Sequence, residues 1–317
     1  MTSSDSTAIS SAAWDSLVCR SIEAWGSLVA EYRVMAEKSL QSCTSLEEFL
    51  SRKPSDLLFW FFQRRDAFLS QRTMTKWSGR CLDQYVLLPA TNGFVRRTEC
   101  IFVSHFWRSR DDPDPDGHYL RLIQGELEQQ TWSYIWVDWT CVPQDPRSPA
   151  EALYFQRALQ TMSGIIRNSC FMWYYPPFEP RLWILYEVAE YILTSEDKFR
   201  ATPDIQEFAD HVDEMVQAGV RSTLERHGYR CTYDRDKEFL TSWLEVLVLL
   251  RRQRVHLDDV RQLLDRVTWF PSTENIYMNS SSGLVRLHRF QGVLTLGGAQ
   301  FAFTPFPQWV CSTFSPM

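Results

Sequence analysis

Apolar positions in residues 12–38 fall at three- and four-residue steps: Trp14, Leu17, Val18, Ile22, Trp25, Leu28, Val29 and Tyr32. That spacing predicts an amphipathic helix. In SLEEFL, Ser45 precedes Glu48 by three residues, a capping-box start for a further helix. The runs SDLLFWFFQRRDAFLS and TMTKWSGRCLDQYVLL extend a helical N-terminal region over residues 1–95, broken near its end by PATNG.

From residue 99 the pattern changes. CIFVS, YIWVDW and SCFMWYY are continuous apolar runs of strand length, as expected for strands covered on both faces. Helical patterns separate and follow them: GHYLRLIQGELEQQ, AEALYFQRALQTM and PRLWILYEVAEYIL, with Pro180 suited to a first turn. Such alternation predicts an α/β module with a parallel sheet over residues 96–200. Residues 201–317 return to helices and end in short strands joined by glycine turns, as in LVRLHRFQGVLTLGGAQFAF. The three regions are expected to form one compact unit.

Composition narrows the picture only slightly. Of 317 residues, 44% are hydrophobic and 23% charged, an ordinary globular balance. A net charge of −6 argues against general nucleic-acid binding, which needs a basic face. Arg251, Arg252 and Arg254 read as a solvated helix end. No run reaches the roughly 18–20 apolar residues of a membrane span. The Ser-rich start lacks a secretory pattern and reads as a short disordered lead. Eight scattered cysteines without a CxxC pair suit free thiols in the cytosol.

Candidate chemistry gathers at strand ends, where parallel sheets bind ligands. Ser104 and His105 end the first run, Asp138 the second, and Tyr174 and Tyr175 the third. On the helix after Pro180, Glu187 and Glu190 share one face with Trp183, and an unpaired acid in such apolar company would have a raised pKa. DDPDPDG copies half of a calcium loop, but position twelve is Ile123 rather than Glu, so calcium is rejected and Asp116 reads as an N-cap. Cys141 reads as an inert buried thiol. No metal is expected, and no Walker loop, GxGxxG, HExxH or GxSxG is present.

Residues 99–193 resemble the Toll/interleukin-1 receptor (TIR) fold, a parallel flavodoxin-like sheet, and especially a divergent TIR-like group. There the first strand ends in a Ser-His-aromatic-Trp segment, matching VSHFW, followed by Pro-Asp-Pro-x-Gly, matching PDPDG. YIWVDWTCVPQ and the Trp183-x-x-x-Glu187 helix also match. In TIR domains that cleave NAD, the Glu of that helix is the catalytic acid, so the resemblance implies Glu187. Three departures stand out: the usual Cys after the helix Trp is Ile184, the region expected to hold the fourth and fifth strands looks helical, and large helical regions flank the module on both sides.

The first reading is therefore an enzyme that cleaves the N-glycosidic bond of NAD or a related nucleotide. NAD is then a substrate, and no cofactor is required. Glu187, His105 and Ser104 would be catalytic; Trp107, Asp138, Trp139, Trp183 and Tyr174 would bind substrate. The second reading is a transferase or condensing enzyme of small-molecule biosynthesis, fed by an activated acyl donor such as aminoacyl-tRNA. Asp111, Asp112 and Asp114 would then select a cationic substrate. The third is a non-catalytic module that self-associates through its helical flanks.

Overall fold

The computed structural model describes residues 3–26, 30–109, 111–196, 200–269, 271–281 and 283–308. The chain divides into two compact units, Met1–Tyr175 with Thr268–Pro271, and Pro176–Val267 with Ser272–Met317. The N-terminal region thus shares a unit with the sheet, and the helix carrying Glu187 belongs to the other unit.

In the first unit, α1 (Ser3–Ala24) and α2 (Ala30–Gln41) replace the single helix expected, and the start is helical from Ser3 rather than irregular. Gly26 (φ +63°) follows α1, and Leu28 and Val29 lie outside the described residues. Next come α3 (Leu46–Leu50), β1 (Phe59–Arg64), α4 (Arg65–Leu69), β2 (Tyr85–Pro89), β3 (Cys100–His105) and α5 (His118–Leu127). The unit continues with β4 (Tyr134–Val137), α6 (Asp138–Cys141), α7 (Pro149–Thr161), α8 (Ser163–Asn168) and β5 (Cys170–Tyr174). Ser45 caps α3 by accepting from Glu48 N, while the Glu48 carboxylate turns to Thr44. The complete capping box is at α7, between Ser148 and Glu151.

The sheet order is β2-β1-β4-β3-β5. Strands β4, β3 and β5 are parallel, whereas β1 runs antiparallel to both β2 and β4. The sheet is mixed rather than wholly parallel, and two segments expected to be helical are strands. Phe59–Phe62 are four consecutive bulky apolar residues, all buried, a run whose periodicity cannot separate strand from helix. Burial on both faces and aromatic content then favour the strand.

Phe102, Trp136 and Phe171 occupy matched register positions on β3, β4 and β5 and stack at 5.0 and 5.6 Å. The opposite face carries Ile101, Val103, Ile135, Val137 and Met172 and is covered by Leu120, Ile123 and Leu127 of α5. Where β4 stops pairing with β1, the Tyr154 hydroxyl takes its place. It accepts from Phe61 N and donates to Phe59 O, both at 3.1 Å. Tyr154→Phe leaves these two buried backbone groups without that partner, so urea unfolding should report a loss of about 1–3 kcal/mol with an unchanged m-value.

The second unit holds α9 (Leu182–Thr194), α10 (Gln206–Ala218), α11 (Val220–Arg226), α12 (Asp234–Arg252) and most of α13 (Leu257–Trp269). Pro180 sits just before the α9 N-cap Arg181, not inside the first turn. The expected C-terminal strands form an antiparallel sheet in the order β6 (Asn275–Ser280), β7 (Gly283–His288), β8 (Val293–Leu296) and β9 (Ala299–Ala302). Among the described residues no helix is long and apolar enough to cross a membrane, and the seven described cysteines are free thiols.

Candidate functional site

The carboxyl ends of β3 and β4 bring His105, Trp107, Asp138 and Trp139 together. Strand β4 ends at Val137 and turns directly into the single turn α6, which places Asp138 at the mouth of the sheet. Three N–H donors converge on its carboxylate. Oδ1 lies 3.0 Å from His105 Nε2 and accepts from Trp139 N at 2.6 Å, while Oδ2 accepts from the Trp107 indole at 2.8 Å. Asp138 is thus used as an acceptor throughout.

The two members of the His–Asp pair differ in access. The His105 side chain is 1% exposed and that of Asp138 37%, so the carboxylate is open to solvent and the imidazole is not. His105 packs edge-on against Tyr119 of α5, and its Nδ1 is buried with no hydrogen-bond partner. The histidine thus lies buried beneath the acid, against which its Nε2 is placed. Trp107 stands edge-to-face on Trp139 at 5.3 Å. Trp139 is itself core: its indole donates to Met74 O, its carbonyl accepts from Trp77 N, and the Lys76 ammonium lies 5.5 Å from its ring centre. Of the two indoles expected to stack on a substrate base, Trp107 is the more accessible.

Ser104 does not join this group. Adjacent residues of a strand point to opposite faces, so Ser104 faces away from His105. Its hydroxyl accepts from Tyr175 at 2.6 Å in a buried setting. Tyr174 follows the register of His105, but its hydroxyl donates to Glu126 of α5 at 2.7 Å. Cys141 is wholly buried and burial pushes its thiol up to about 11, so it offers no thiolate for attack at neutral pH.

The acidic segment before α5 serves the fold. Asp114 is buried and both of its oxygens accept from the helix start, Tyr119 N at 3.0 Å and Leu120 N at 2.9 Å. Asp116 Oδ1 also accepts from the first helical amide, His118 N, at 3.1 Å, so the two acids share the helix start, with Gly117 rather than Asp116 at the cap position. Asp116 pairs with Arg108, whose guanidinium holds the carboxyl down to about 2. Asp112 accepts from Asp114 N, and Asp111 is exposed.

On α9 the two acids separate by burial. Glu190 is fully buried and accepts from the Trp243 indole at 2.6 Å, a structural role, while Glu187 is half-buried. Trp183 stands edge-to-face on Tyr186, and its indole hydrogen-bonds Asp236 of α12, partly offsetting the burial that raises that acid. Glu187 and Trp183 lie in the second unit; Ser104, His105, Trp107, Asp138, Trp139 and Tyr174 lie in the first.

A cluster that the sequence reading passed over lies in the second unit: His211, Glu214 and His227. Its trace in the sequence is the spacing of His211 and Glu214, one helical turn apart. The third member is distant in sequence, and an isolated histidine on an apolar face reads as core.

The hollow lined by Arg64, Arg65, Asp66, Leu69, Trp132, Ser133 and Tyr134 opens at the amino end of β4, away from Asp138. The chain matches no protein-family model, no curated protein and no solved structure.

Proposed function

We propose that the chain is a TIR-like enzyme that cleaves the N-glycosidic bond of NAD or a related nucleotide. The observation that carries this reading is the Asp138 carboxylate, half-exposed at the carboxyl end of β4 and oriented by three N–H donors. As the bond from the ribose carbon to nicotinamide breaks, the electron pair leaves with nicotinamide and positive charge develops on the sugar. A preoriented carboxylate stabilises that charge without having to reorganise, worth several kcal/mol of barrier. Water then completes the sugar carbon and releases a proton to solvent. Trp107, fixed at the rim by its bond to Asp138, offers an apolar edge for a flat base. The resemblance independently assigns Glu187 the acid's role.

Incubating the purified full chain with NAD should liberate free nicotinamide and ADP-ribose in equal amounts. Intact NAD after prolonged incubation with folded protein would refute the reading.

A second reading draws on the same carboxylate: transfer of an acyl group onto a small cationic substrate. Asp114 is committed to the helix start, so selection of a cation falls to Asp138. That reading predicts protection of Asp138 by a guanidinium or ammonium ligand, and no consumption of NAD.

A further inference from the structure

Helix α10 is amphipathic, and His211 lies on its buried face with Phe208, Val212 and Met215. Glu214, one turn on, shares the side of the helix that carries His211. After α11 the chain reverses sharply. Gly228 adopts φ +63°, its N–H bonds to Glu225 O at 3.2 Å, and Tyr229 N bonds to Leu224 O at 3.0 Å. This is the double bond pattern of a glycine-terminated helix, and a side chain at 228 would be strained there. The reversal returns His227 and Tyr229 to α10. His227 Nε2 lies 2.8 Å from Glu214 Oε2, and the Tyr229 hydroxyl lies 2.8 Å from His211 Nδ1. The two imidazoles face each other at 3.6 Å, tilted by 31°.

We propose that His211, Glu214 and His227 form a binding site for a divalent cation of the zinc class, with Tyr229 orienting His211. One ligand atom from each residue already lies within 4.8 Å of the other two. Tetrahedral zinc holds ligands about 3.3 Å apart, a contraction that small side-chain rotations supply. Two imidazole nitrogens and one carboxylate oxygen suit zinc and its first-row neighbours better than magnesium or calcium. The set leaves a coordination position for water.

The surroundings fit this reading. A hydrogen bond from Nδ1–H of His211 to the Tyr229 oxygen leaves Nε2 with the lone pair that a metal needs, the usual outer-shell device. Phe178 and Phe208 wall the histidine, with Phe178 edge-on at 5.4 Å. Arg226 opposes binding: its guanidinium holds Glu214 Oε1 at 2.8 Å and places a positive charge beside the metal position.

The test uses the full chain after treatment with a chelator, titrated with Zn²⁺ by calorimetry and with Co²⁺ by visible absorption. One equivalent should bind, and the cobalt form should show ligand-field bands of low symmetry. His211→Ala and His227→Ala should each weaken zinc binding about 100-fold or more, and Tyr229→Phe about 10-fold. Arg226→Ala should tighten binding severalfold, a gain that misfolding cannot imitate. The proposal is overturned if the wild type shows no saturable uptake, if uptake survives unchanged in the histidine variants, or if Arg226→Ala leaves affinity unaltered.

Discussion

Asp138→Asn is expected to lower kcat for nicotinamide release about 10²- to 10³-fold with KM little changed. The split follows from when the carboxylate acts. Its charge gains most when the sugar becomes cationic, so its loss falls on the transition state rather than on substrate binding. The amide also turns an NH₂ group toward one of the three donors on His105, Trp107 and Trp139, where an acceptor is needed. That mismatch should destabilise the first unit by about 1–3 kcal/mol, measurable separately by urea unfolding. Glu187→Ala, on α9 of the second unit, should abolish release if the TIR resemblance extends to the acid. Steady-state kinetics on variants with wild-type circular dichroism check both. A rise in KM alone for Asp138→Asn would show that the carboxylate only holds ground-state substrate.

Phe61→Ala is expected to destabilise the first unit by about 3–5 kcal/mol. Phe61 is wholly buried in β1 and its ring contacts Phe49, Trp77, Tyr85 and Tyr154 at 5.4–5.8 Å. Removing it opens a cavity bounded by four rings that cannot all collapse into it. Two of those rings also support the candidate site. The Tyr85 hydroxyl donates to Thr140 O at 2.7 Å, and the Trp77 amide donates to Trp139 O at 3.0 Å, both within α6. Burial pushes the Tyr85 phenol well up, so it remains a donor through the alkaline range. The variant should therefore lose activity as well as stability. A urea midpoint shifted by less than 1 kcal/mol equivalent would contradict this account of the core.

Parts of the candidate site were legible residue by residue. His105 and Asp138 were found at strand ends because an apolar run that stops on a polar residue marks the end of a covered strand. Their hydrogen bond was not legible, since it joins strands paired across thirty-three positions. The separation of Ser104 from His105 follows from alternation along β3, a local rule, but one that acts only where the strand assignment is known. The role of Asp114 was hidden because four acids within seven positions offer candidate caps, and only the path of the turn sets which amides each one meets.

By itself the sequence determined the three parallel strands, most of the helices beyond residue 100 and the C-terminal strands, because short apolar runs there alternate with segments of helical period or are joined by glycine turns. Only the tertiary structure decided that FWFFQR and YVLLP are strands, because their fate depends on a pairing partner and on burial from both sides. It also decided that the Asp138 carboxylate is open to solvent while the His105 imidazole is buried, and that His211, Glu214 and His227 meet at all. Access and convergence are properties of chain paths, and no spacing of residues along a single helix or strand contains them.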